Sequence, residues 1–203
     1  DAEMVTDEDK RKEYHRTLRR QAERLSHLVE NVLCYSRLER NPARPRAEKI
    51  DLSSLLGRMR HALLELTDRS NLQLDFQPSA SAESVRVLAD PSALERIVLN
   101  LVDNACKYAA DAEDRRLHLR LESDGERARI EICDHGPGID PAERKLLFRA
   151  FSKSAQQAAQ SAPGVGLGLA LSRRLARSMR GELSVEETPG GGATFVLEVP
   201  VVG

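Results

Sequence analysis

Four short segments of this 203-residue chain gather residues that could handle a phosphorylated ligand. In Asn100-Leu-Val-Asp-Asn104-Ala-Cys-Lys107-Tyr108, two amides four residues apart share one helical face, with a lysine beside them. Amide oxygens suit a hard cation such as magnesium, and a lysine suits phosphate. The same residues also fit a plain polar helix face. In Asp134-His-Gly136-Pro-Gly138-Ile139, a carboxylate at a strand end can accept a hydrogen bond from an exocyclic amine. The glycines there let a flat ring approach the backbone, although an ordinary turn explains the segment as well. Gly164-Val-Gly166-Leu167-Gly168-Leu169 opens a helix, where unobstructed backbone N–H groups can cradle phosphates. It lacks the strand-first setting of a dinucleotide-binding turn, and the chain has no P-loop pattern. Gly190-Gly-Gly-Ala-Thr194-Phe reads first as a tight hairpin, in which only Thr194 hints at a ligand contact.

The elements that must position these residues follow from the pattern. Residues 6–40 read as one long helix, with Thr6 as its cap and acidic residues in the first turn. Tyr14, Leu18, Leu25, Leu28, Val32 and Tyr35 form a broad apolar stripe that a lone helix cannot bury, so it needs partner helices. Pro42 and Pro45 stop the helix and make a stiff linker. Beyond it, Asp51 caps a helix over about 52–67, and 71–77 and 84–90 alternate like strands. Asp90-Pro91 starts a helix running to about Tyr108. Segments 115–123 and 127–134 read as strands around Asp124-Gly125, followed by two short helices near 141–151. The stretch 152–163 reads as a loop. A helix ends near Arg180, and 181–187 and 193–200 close the chain as strands. Hairpins mixed with helices predict an α+β layered domain rather than a doubly wound parallel one.

Composition bounds the rest. There are 31 Lys+Arg against 32 Asp+Glu, a formal net charge of −1, and this balance argues against a nucleic-acid binder. No apolar run approaches the roughly 20 residues of a membrane helix, and the first residues are no signal peptide. Three scattered cysteines, Cys34, Cys106 and Cys133, predict reduced thiols rather than a disulfide framework.

In this order, the four segments and Phe148-Arg-Ala-Phe151 resemble the ATP-binding domain of bacterial sensor histidine kinases over about 47–203. That domain belongs with gyrase-type, heat-shock-chaperone and mismatch-repair ATPases. The resemblance implies a two-layer sandwich of the Bergerat type, a mixed sheet covered by helices on one face, preceded by a long helix. It also divides the chain. Residues 1–46 resemble part of a dimerisation and histidine-phosphotransfer hairpin, mainly its second helix, and 47–203 the catalytic domain. ATP and Mg2+ are the implied cofactors. Asn104 would ligate magnesium beside Asn100, and Lys107 would contact phosphate. Tyr108 would pack near adenine, and Asp134 would accept from its amino group. Gly136, Gly138 and Ile139 would shape that pocket. Gly164, Gly166 and Gly168, with Leu167 and Leu169 between and after them, would wrap the phosphates. Lys153 would stand in a lid over ATP, and Thr194 would help hold adenine through water.

Position 100 bears on the reaction. Hydrolytic relatives carry Glu where this chain has Asn100, and an amide cannot act as general base on water. The resemblance therefore implies a kinase that waits for a histidine nucleophile and then passes phosphate to a response-regulator aspartate. None of the five histidines is followed by Glu or Asp, so the acceptor is expected upstream of residue 1. A homodimer through the hairpin is also implied. So is a cytoplasmic location, with any inner-membrane anchor lying in segments outside those given. A hydrolytic member of the same superfamily and a non-catalytic dimerisation module are the alternatives.

Overall fold

Three aspartates decide where helices begin. Asp51 accepts a hydrogen bond from the Ser54 N–H (2.7 Å), Asp90 from Ala93 (3.3 Å) and Asp140 from Ala142 (2.8 Å). Each satisfies an N–H group that a first helical turn leaves open. Pro91 and Pro141 follow two of them, where a missing N–H costs nothing.

The computed structural model describes residues 8–40, 47–78, 85–152 and 166–202. In chain order these form α1 (Glu8–Arg40), β1 (Glu48–Asp51), α2 (Leu52–Asp68), β2 (Gln73–Pro78), β3 (Arg86–Ala89) and α3 (Pro91–Tyr108). Then come β4 (Arg116–Ser123), β5 (Arg127–Cys133), α4 (Pro141–Arg144), α5 (Gly168–Ser178), β6 (Glu182–Glu187) and β7 (Ala193–Pro200). Five strands make one sheet in the order β2-β4-β5-β7-β6. β2 runs parallel to β4 and the other neighbours are antiparallel, which is the mixed sheet expected.

Alternation along the strands builds the core. Ala128, Ile130 and Ile132 of β5 meet Leu117, Leu119 and Leu121 of β4 and Phe195, Leu197 and Val199 of β7. Over this face lie Leu52, Leu55, Leu56 and Leu63 of α2, Leu94, Ile97 and Leu101 of α3, and Leu171 and Leu175 of α5. Burying each such side chain stabilises the fold by about 1.5–3 kcal/mol. The opposite face is charged: Arg129 reaches Glu131 (2.5 Å), Glu186 (2.8 Å) and Glu198 (3.3 Å). Among the described residues, helices therefore cover one face only.

The elements depart from the sequence expectation in two places. β1 pairs antiparallel with β3 in a separate two-stranded sheet, and its four residues are too short to announce themselves by alternation. The region 141–151 holds one four-residue helix followed by turns, not two helices. The Thr6 cap, the proline linker and the loop residues 153–163 lie outside the described residues.

All three thiols are free, and burial pushes the Cys106 thiol up to about 11, which keeps it protonated and unreactive. Among the described residues, no helix is long and apolar enough to cross a membrane.

Candidate functional site

The sequence places Asp134 one residue past β5, at the mouth of the sheet. Around it opens a cleft of about 560 Å³, part of it open solvent. Asn104 and Tyr108 line it from α3, and Pro137, Gly138 and Ile139 from the turn after β5. Glu143 and Leu147 close another side, Leu169 of α5 a third, and Ala193 and Phe195 of β7 the floor.

Asp134 is buried, 4% exposed. Its Oδ1 accepts from the backbone N–H groups of Gly136 (2.9 Å) and Ala193 (3.2 Å). That leaves Oδ2 as the acceptor for a ligand N–H. Burial raises the carboxyl above the ordinary carboxylate range, while the two N–H bonds and nearby His135 pull it back. Ile139, Leu147, Leu169 and Phe195 make apolar walls around the Asp134 acceptor. A flat heterocycle carrying an exocyclic amine fits both features. Gly136 permits the turn because a Cβ there would lie 3.0 Å from the Tyr108 carbonyl oxygen.

At the other end, Asn104 presents an amide to the cleft. Asn100, one turn earlier, does not line it. Its Nδ2 donates to Ser172 Oγ (2.9 Å), and a Cβ at Gly168 would fall on its Oδ1. Asn100 thus stitches α3 to α5. Lys107 pairs with Asp103 on the same helix, outside the cleft lining. Leu167 caps α5 without a side-chain hydrogen bond, so the first-turn N–H groups stay available to an anion. Gly166 sits at φ +71, and a Cβ there would fall on the Ser152 carbonyl oxygen. Its own carbonyl accepts from the Phe151 N–H (3.0 Å), which ties residues 151 and 166 together. Gly164 and Lys153 lie outside the described residues.

Thr194 does not reach the cleft directly. Its hydroxyl meets Thr188 Oγ1 at 2.9 Å and is not in the cleft lining, whereas Ala193 and Phe195 on either side are. Successive strand residues face opposite sides, so only one parity of β7 can look into the cleft. The same parity argument would have found Phe195. Glu143 and Leu147 were also missed; their four-residue spacing after the Asp140-Pro141 helix start is the signal that could have found them.

Residues 89–203 match the profile of the family described as histidine kinase-, DNA gyrase B-, and HSP90-like ATPase. The chain belongs to this family. Among curated relatives, the sensor protein KdpD of Rathayibacter rathayi is 34% identical over 186 residues, covering 92% of this chain and 20% of that protein. Among solved structures, full-length ShkA in complex with AMPPNP superposes with a TM-score of 0.78 at 28% identity, over 98% of this chain and 40% of that one. The mycobacterial sensor histidine kinase MprB gives 0.62 at 29% identity, over 76% of this chain and 97% of that one. The chain spans 20–47% of the length of the curated relatives it matches. It carries the ATP-binding catalytic domain of the sensor histidine kinase type, and the α+β fold is that of its structural neighbours. The cleft itself holds no histidine among its lining residues.

Proposed function

We propose that this chain holds Mg-ATP in the cleft as the phosphoryl donor of a two-component sensor histidine kinase. The γ-phosphoryl group would pass to a histidine carried outside the cleft, and then to an aspartate of a response-regulator receiver domain. One observation carries the choice of kinase over hydrolase. Residue 100 is an amide, bonded to Ser172 and packed on Gly168, where a hydrolase needs a base to take a proton from water.

Each residue has a part in this reading. Asp134 Oδ2 accepts from the adenine amino group, while Ile139, Leu147, Leu169 and Phe195 exclude water from the ring. Tyr108 packs beside the base. Asn104 supplies a neutral oxygen to magnesium, and Asn100 fixes the helix that carries it. Lys107 leaves Asp103 for phosphate oxygens, and the backbone at Gly166 and Gly168 donates to them. Thr194 acts through Thr188 on the hairpin. The residues fit magnesium as an ion held mainly by phosphates and water. Asn104 offers one hard ligand, and among the described residues no cluster of three or more His, Cys, Asp or Glu could hold a metal alone. When bound, the ion would neutralise charge on the phosphates.

Assembly follows from α1. Tyr14, Leu18 and Leu25 are 57%, 66% and 62% exposed, a stripe suited to helices of a second copy in a homodimer. The change from bundle-type helix to mixed sheet supports a division into 1–46 and 47–203. We place the domain on the cytoplasmic side, where ATP is supplied and free thiols stay reduced.

Incubating the chain with Mg-ATP and following phosphate release tests the reading. ATP should be retained without sustained turnover. Continuous multiple-turnover release that Asn100→Ala leaves unchanged would contradict it and favour a hydrolase.

A further inference from the structure

The end of α1 is docked across the two helices that carry the phosphate-end residues. Asn31 Oδ1 accepts from Arg96 Nη2 of α3 at 3.1 Å. The Arg174 guanidinium of α5 lies 4.8 Å from the centroid of the Tyr35 ring. Cys34 and Tyr35 are partly buried against the main core. Earlier in the helix, Tyr14, Leu18 and Leu25 remain exposed, so the docking is local.

These contacts connect to the cleft. Arg96, Asn100 and Asn104 recur every four residues, which makes one ridge along α3 from the α1 contact to the cleft lining. Arg174 stands two residues beyond Ser172, the partner of Asn100. Gly168 leaves no room between α5 and Asn100 for even a methyl group. The Asn100–Ser172 bond and the Gly168 contact hold α3 against α5, and α1 spans that pair at one end while the cleft opens at the other.

We propose that the Asn31–Tyr35 end of α1 is a brace that pre-orders α3 and α5 for nucleotide, so that its docking and Mg-ATP binding strengthen each other. Arg96 and Arg174 are positioning residues in this device; neither lines the cleft. The inference rests on the reading of the cleft as a nucleotide site. A site whose walls are already held loses less conformational freedom when its ligand arrives. Coupling between two binding events is reciprocal, so any factor gained in nucleotide affinity reappears in the docking of α1. A single hydrogen bond and one cation–π contact limit the factor to about three- to tenfold.

The test combines calorimetric titration of the whole chain with Mg-ATP and amide hydrogen exchange over residues 31–36. The Asn31→Ala/Tyr35→Ala double variant should bind Mg-ATP about three- to tenfold more weakly. Tyr35→Phe should bind like wild type, because phenylalanine keeps a ring face for Arg174. Adding Mg-ATP to the wild type should slow exchange at 31–36. If wild type and the double variant bind equally, or exchange at 31–36 ignores nucleotide, the brace is wrong and the cleft reading stands. Failure of the wild type to bind Mg-ATP overturns both.

Discussion

Asp134→Asn should weaken Mg-ATP binding by about ten- to a hundredfold, the range of a lost charge-assisted hydrogen bond, without lowering the melting temperature. Asparagine keeps one oxygen for the Gly136 and Ala193 N–H groups that now bond Oδ1. In place of Oδ2 it presents an N–H2 group, so two donors would face each other across the adenine edge. Stability should respond differently. Burial raises the Asp134 carboxyl, so the folded chain holds that proton more tightly than the unfolded one. The stability this group contributes falls as pH rises from the ordinary carboxylate range through the raised value. At neutral pH its buried charge is a cost, and the amide removes it. Thermal unfolding at pH 7 should therefore show an unchanged or slightly higher midpoint. The wild type should in turn lose Mg-ATP affinity on acidification through the raised value, since the amine needs an ionised acceptor. The Asp134→Asn variant should lack that pH dependence. It should also discriminate less between ATP and GTP, because its N–H2 can donate to the guanine carbonyl.

Gly192→Ala should cost about 3–5 kcal/mol of stability and abolish nucleotide binding with it. Gly192 sits at φ +110, and a Cβ there would fall on the carbonyl oxygen of Asp134 and crowd the His135 Cα at 2.8 Å. Backbone strain and collision act together, and the collision strikes Asp134, the proposed adenine acceptor. Its neighbours supply the control. Gly190 and Gly191 share the left-handed conformation, at φ +90 and +108, but a Cβ on either meets nothing within 4 Å. Alanine there should cost only about 1–2 kcal/mol of backbone strain and leave affinity unchanged. Denaturant unfolding of the three variants, with titration of each, separates strain from collision.

Much of this was legible in the sequence because the relevant physics is local. Asp51 and Asp90 announce helix starts through hydrogen bonds spanning three residues, and both do what the sequence predicts. The long alternations of β4 and β5 likewise declare strands. β1 escaped because four residues paired to a strand some 38 positions away carry almost no local signal. The cleft shows the same divide. Asn104, Tyr108, Asp134 and Ile139 converge as their segments suggested. Thr194 was read by chemical type, its hydroxyl outweighing the parity that sends Phe195 inward instead. Asn100 was read as a ligand-side amide, yet its side chain spans α3 and α5, a contact 72 residues apart in sequence. Side chains whose role depends on a distant partner cannot be assigned from spacing alone.

Nucleotide binding in the cleft around Asp134 is the property on which the proposed function depends. Calorimetric titration of the chain with Mg-ATP measures this directly. The expected result is a saturable isotherm with one site per chain, which Asp134→Ala abolishes. A flat titration of the wild type, or an isotherm that Asp134→Ala leaves intact, would contradict it.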